Sequence, residues 1–226
     1  MIICVTGTNT DVGKTIATAA LASVAAGDGV DVVVAKPIQT GEPDGQGDAN
    51  TVARLTGLET KEFVRYPEPL APNLSARRAG MAEPDRAELA AWIQGLDAPG
   101  RLVLVEGAGG LLVRLGDELT LADIAADLGA PLVVVTSMGL GSLNAAELTV
   151  EAARRRGLSV KGLVGGSLPE ELDLATRLNL EEMEQVTGEE FWGALPGGIG
   201  KLGKGEFAAV AREVFPHVTQ KMMDPS

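Results

Sequence analysis

Ile2-Ile3-Cys4-Val5-Thr6-Gly7-Thr8-Asn9-Thr10-Asp11-Val12-Gly13-Lys14-Thr15 decides how the rest of the chain is read. The run Ile2–Thr6 is apolar or β-branched throughout, as a strand buried on both faces requires. A Gly-containing turn follows, and then an Ala-rich stretch, Lys14–Ala26, of helical character. Strand, turn and helix start in that order form a phosphate cradle, because backbone N–H groups and the positive helix end surround an anion. Lys14 is expected to reach the β- and γ-phosphates and the Thr15 hydroxyl to ligate Mg²⁺. One spacing departs from the common pattern. Glycine is expected five places before Gly13, where this chain has Thr8; Gly7 stands one residue earlier.

The same alternation repeats outward from this start. Short runs rich in Val, Leu and Ile lie at Val30–Ala35, Leu102–Val105, Leu132–Thr136, Val160–Val164 and Phe191–Leu195. Helical stretches fall at Ala49–Thr56, Asp85–Leu96, Leu121–Leu128, Leu143–Arg156, Glu170–Thr187 and Glu206–Phe215. Several runs are continuously apolar, the pattern of strands covered on both faces. The expectation is an α/β fold: a P-loop NTPase-like, doubly wound, mainly parallel sheet with helices on both faces. Residues 1–216 are expected to form a single domain. Glu42–Gly47 reads as a polar loop and Tyr66–Pro72, with three prolines, as irregular. Residues 217–226 are polar and aperiodic, so a frayed, flexible tail is expected there.

Acidic residues outnumber basic ones by 31 to 19, a formal charge of −12. That surface repels nucleic-acid backbones and acidic lipid, and so excludes both as main partners, while leaving room for a local positive pocket. Aromatics are only 3%, so the core must be built from Val, Leu, Ile and Ala. The one cysteine, Cys4, excludes an internal disulfide and a Cys-rich zinc site; inside an apolar run it reads as a buried structural thiol. The one histidine, His217, lies in the expected tail, so histidine acid–base chemistry is not expected. The apolar start is too short for a signal peptide, and no run approaches the ~20 residues of a membrane span. A cytoplasmic protein is expected.

In a doubly wound fold, ligands gather at the carboxyl ends of the strands. Lys36 directly follows Val32-Val33-Val34-Ala35, on a strand expected beside that of the phosphate loop. Its ammonium is suited to hold a transferring phosphoryl group or neutralise a carbamate; the alternative is a solvated strand-end lysine. Thr40 fits either substrate contact or ordinary loop polarity. Asp48 fits either a helix N-cap or a Mg²⁺ ligand. Glu106 follows Leu102-Val103-Leu104-Val105 and precedes Gly107-Ala108-Gly109-Gly110; buried without a cation it would cost several kcal/mol, so it is a metal-side candidate. The turn Gly139–Asn144 enters a helix, which suits either a carboxylate ligand or plain capping by Ser142. Gly165-Gly166-Ser167 and Leu195-Pro196-Gly197-Gly198 either pass close to a nucleotide base or are only turns.

Together Gly7–Thr15, Lys36–Gly41, Asp48, Val105–Gly110, Gly139–Asn144 and Leu195–Gly198 resemble the dethiobiotin synthetases, in that family's order and over Met1 to Gly198. The resemblance implies a ligase of biotin biosynthesis that uses ATP and Mg²⁺ to close a ureido ring on 7,8-diaminononanoate with CO₂. It assigns catalysis to Lys36, Lys14 and Thr10, and metal binding to Thr15, Asp48 and Glu106. Nucleotide contacts would come from Asp11, Val12, Gly13, Lys14, Thr15, Ile16, Asp48, Glu106, Gly107, Ala108, Gly109, Gly166, Ser167, Pro196, Gly197 and Gly198. Thr40 and Gly141, Ser142, Leu143 and Asn144 would touch substrate, the last four across a homodimer interface. Many family members carry Glu where this chain has Asp11. Many place Asn where it has Gly166, so other nucleoside triphosphates are open to it. The amidation domains of cobyrinate synthases share the phosphate loop but work with a Cys–His glutaminase, absent here. Partition and switch ATPases of the ParA and MinD type put a lysine near the loop's start, and none lies between Gly7 and Gly13.

Overall fold

The computed structural model describes residues 1–224. Seven parallel strands among them form one sheet: β1 (Ile2–Gly7), β2 (Asp31–Thr40), β3 (Glu59–Tyr66), β4 (Arg101–Gly110), β5 (Leu132–Thr136), β6 (Val160–Leu168) and β7 (Phe191–Pro196). Their order is β3-β2-β4-β1-β5-β6-β7. The connections carry α1 (Lys14–Gly27), α2 (Asp48–Thr56), α3 (Pro72–Ala79), α4 (Arg86–Gln94), α5 (Leu121–Leu128), α6 (Ser142–Arg154) and α7 (Leu174–Thr187), and α8 (Lys204–Val214) and α9 (Val218–Met223) follow the last strand.

Alternation along the strands divides the core between the two faces. Ile3 and Val5 of β1 pack with Leu102, Leu104, Val133 and Val135 beneath α1, α2, α8 and α9. Ile2 and Cys4 pack with Val103, Val105 and Leu132 beneath α4 and α5. Cys4 is fully buried, and burial pushes its thiol up to about 12, which leaves it protonated and unreactive. α4 and α7 start later than their apolar patterns suggest because a carboxylate caps each. Asp85 accepts the Glu88 N–H at 2.9 Å and Asp173 the Thr176 N–H at 2.7 Å.

Four expectations are corrected. β4 lies between β1 and β2, so the Lys36 strand is not beside the phosphate-loop strand; periodicity identifies strands but carries no information on their order. β3 is an extra edge strand whose half-exposed sequence, Glu59-Thr60-Lys61-Glu62-Phe63-Val64-Arg65-Tyr66, is too charged to read as a buried run. The irregular Pro-rich stretch ends at Pro72, which is the first residue of α3, the position where proline's missing N–H costs nothing. Finally, the expected frayed tail is helical from Val218 to Met223, because Val218 and Met222 bury themselves against the α1 face; Pro225 and Ser226 lie outside the described residues. Met222→Ala is therefore expected to destabilise the protein by about 2 kcal/mol, the low end for deleting a buried methionine near a chain end. Urea unfolding measures it, and an unchanged midpoint would mean that α9 does not hold the fold.

Candidate active site

The turn after β1 is shaped by contacts that only small residues allow. A Cβ on Gly7 would meet the Asn9 carbonyl at 2.6 Å and the Gly109 carbonyl at 3.1 Å, so the glycine needed for close backbone approach is Gly7, and Thr8 is free to differ. The Thr8 N–H donates to the Val135 carbonyl at 2.9 Å, tying the turn to β5. Asp11 has φ +58°, a left-handed conformation that Asp tolerates better than most residues. Gly13 has φ +89° and packs on Gly166, where a Cβ would lie 1.8 Å from the Val12 carbonyl oxygen. Beside this contact Ile16 meets Gly200, and Ser167 approaches Gly197, so the ends of β6 and β7 flank the start of α1.

The charged groups converge on the other side of the loop. The ladder between β2 and β4 ends at Ala35↔Val105, while β2 continues along β3 to Thr40↔Tyr66. Pro37, which has no N–H to give, sits where the β4 ladder stops. In the resulting crevice Lys36 is 3% and Glu106 1% exposed. Lys36 Nζ lies 2.5 Å from Asp48 Oδ2 and 3.1 Å from Glu106 Oε1, and donates to the Gly107 carbonyl at 3.0 Å. The Thr15 hydroxyl donates to Glu106 Oε1 at 2.8 Å. Burial pulls the Lys36 ammonium down, but the Glu106 and Asp48 carboxylates outweigh it and hold its pKa above the ordinary value. Asp48 is the converse: burial raises it, and Lys36 more than compensates, holding the carboxyl below the usual range. Burial, then repulsion from Lys36, holds the Lys14 ammonium low despite nearby carboxylates.

These residues can hold a hard cation. Glu106 Oε2 is buried and has no hydrogen-bond partner, although its twin oxygen has two. With Thr15 and Asp48 it offers an oxygen-only donor set. Among the described residues no three Asp, Glu, His or Cys side chains converge to bind a metal alone. The oxygen donors of Thr15, Asp48 and Glu106 are of the kind Mg²⁺ takes, since it binds one or two carboxylates and completes its shell with phosphate and water.

One cavity of about 840 Å³ gathers Thr10, Asp11, Gly13, Lys14, Thr15, Ile16, Lys36, Thr40, Asp48, Glu106, Ala108 and Gly109. Its remaining wall includes Gln39, which lies within the Lys36–Gly41 segment but was given no role there, and Pro69, Leu70 and Val113, which no motif marked. Asp48 is not an N-cap. Gly47 is, and the Asp48 carboxylate goes to Lys36 instead. Nor does Ser142 cap α6: Gly141 stands at the cap, and the Ser142 hydroxyl donates to the Gly139 carbonyl at 2.6 Å. Gly141, Ser142, Leu143 and Asn144 do not line the cavity of their own chain. They sit on an outer corner beside Leu140, which is 93% exposed, and Asn179 of α7 anchors that corner by donating to the Met138 and Gly139 carbonyls.

Comparison with known proteins bears on this site. A family model described as an AAA domain matches residues 2–198. The ATP-dependent dethiobiotin synthetase BioD of Corynebacterium diphtheriae is 59% identical over 94% of this chain and 96% of its own length. The enzyme of the same name from Mycobacteroides abscessus is 50% identical over 95% of each chain. Among solved structures, MinD complexed with Mg-ADP from Pyrococcus horikoshii superposes with a TM-score of 0.57 at 17% identity, covering 99% of this chain and 100% of its own. A ParA family ATPase from Chlorobium tepidum gives 0.57 at 14%, covering 99% and 97%. At these identities the two structures establish the P-loop fold alone.

Proposed function

Because the chain belongs to the family of ATP-dependent dethiobiotin synthetases, we propose that its cavity closes the ureido ring of dethiobiotin from 7,8-diaminononanoate, CO₂ and a nucleoside triphosphate. One amine of the substrate captures CO₂ as a carbamate. A carbamate oxygen takes the γ-phosphoryl group, the nucleoside diphosphate departs, and a mixed anhydride results. The second amine attacks the carbonyl, the C–O bond to phosphate breaks, and the ring closes with loss of a proton and inorganic phosphate.

No protein nucleophile is required, only positioning and charge. Lys14 and Lys36 neutralise the carbamate and the migrating phosphoryl group. Thr10 and Thr40 line the diamine region, and Leu70 and Val113 give its alkyl chain an apolar wall. Thr15, Asp48 and Glu106 would hold Mg²⁺, which supplies charge neutralisation on the phosphates. The Gly141–Asn144 corner serves the cavity of a second copy, where free N–H groups at the start of α6 receive the substrate's carboxylate. The protein then works as a homodimer in the cytoplasm, and no described helix is long and apolar enough to cross a membrane. The observation that carries this reading is the buried chain of contacts Thr15–Glu106–Lys36–Asp48 beside the phosphate loop.

Phosphate release coupled to product analysis, with ATP, CTP or GTP and with or without the diamine, tests it. Release is expected only with the diamine, with dethiobiotin as the product. Only the buried Gly166 backbone and the exposed Ser167 stand where many family members place an Asn, so the three nucleotides should agree within about tenfold, or ~1.4 kcal/mol. Release without diamine would favour a switch ATPase, and a strong preference for ATP would refute the weak base selectivity.

A further inference from the structure

Gln39 lies near the end of β2, is 5% exposed, and is held by hydrogen bonds rather than packed as an apolar group. Its Oε1 accepts the Asp48 backbone N–H at 2.9 Å, and its Nε2 donates to the Thr40 carbonyl at 3.1 Å. α2 depends on this contact. Its N-cap, Gly47, has φ +113° and contributes no side-chain oxygen, so the first-turn N–H groups lack their usual acceptor. Gln39 supplies one from another element of the fold. Gly47 makes room for it, since a Cβ there would lie 2.7 Å from Gln39 Oε1. The intervening residues 42–46 are exposed; Arg65 donates to the Glu42 and Pro43 carbonyls and lies 4.0 Å from the Asp44 carboxylate, all before Asp48.

The residue thus anchored is the one whose carboxylate touches Lys36. We propose that Gln39 is a positioning residue: it fixes the Asp48 backbone so that the Asp48 carboxylate stays within reach of Lys36 and of the Mg²⁺ held with Thr15 and Glu106. This rests on the metal reading given above. Without the tie, the first turn of α2 is free to carry a half-buried carboxylate out toward solvent.

Gln39→Met keeps the side chain's length and volume and removes both hydrogen bonds. Mn²⁺ binding in the presence of ADP, followed by electron paramagnetic resonance, is expected to weaken about tenfold, the lower range for loss of a residue that orients a metal ligand. The half-saturating Mg²⁺ concentration for turnover should rise by the same factor. In an Asp48→Asn background Gln39→Met should weaken Mn²⁺ binding no further, because its whole effect passes through Asp48. Gly47→Ala, whose Cβ pushes the Gln39 amide aside, should reproduce the weakening if Gln39→Met does not fold. A lowered melting temperature with unchanged Mn²⁺ binding, or additive effects with Asp48→Asn, would overturn the role of Gln39 alone. Failure of the parent protein to bind Mn²⁺ with ADP would overturn the metal reading and this proposal together.

Discussion

Lys36→Ala is expected to leave the protein folded and to lower dethiobiotin formation by about a thousandfold, the upper range for removing one group aimed at developing transition-state charge. The size of the effect follows from where the ammonium sits. Lys36 is buried between Glu106 and Asp48, and burial keeps water from screening its charge. Water admitted in its place would be mobile and uncharged. A stability loss of about 3 kcal/mol should accompany the change, because two carboxylates lose the cation that compensates them. Mg²⁺ should therefore raise the melting temperature of the variant more than that of the parent. Circular dichroism and the coupled phosphate assay check both halves. Substantial turnover in a folded variant would remove Lys36 from the reaction.

Gly166→Asn is the second substitution of large expected effect, and its direction runs against the family pattern. Introducing the Asn that many family members carry should not create a preference for ATP; it should lower kcat/KM about a hundredfold with every nucleotide. The reason is steric. A Cβ at 166 would stand 1.8 Å from the Val12 carbonyl oxygen and 2.9 Å from Gly13 Cα, so the phosphate loop must retreat by about 1 Å, a displacement sufficient for such a loss. Gly166→Ala carries the same Cβ without the amide and should behave alike. A Gly166→Asn protein that keeps its activity and gains selectivity for ATP would show that the loop yields and that the side chain at 166 reads the base.

The Gly7–Thr15 turn, Lys36 and Glu106 were legible because each directly follows an uninterrupted apolar run, and such runs become the buried strands of a parallel sheet. Gln39 was not legible, since its significance depends on Gly47 and Asp48 arriving beside it across an exposed loop. Nor was the edge strand β3, whose exposed side carries charges that mask its period. The Gly13–Gly166 contact joins residues far apart in the chain, and a glycine's spelling does not say which backbone approaches it.

By itself, then, the sequence determined the α/β class, the phosphate cradle and which polar residues stand at strand ends, because hydrophobic periodicity and turn chemistry are local properties of the chain. Only the tertiary structure decided that β4 lies between β1 and β2, which lets Glu106 receive Thr15 on one side and Lys36 on the other. It also decided that Asp48 turns inward and that the last helix packs rather than frays. Strand order, a carboxylate's choice of partner and the docking of a terminal helix are set by contacts between distant segments, whose energies no local pattern encodes.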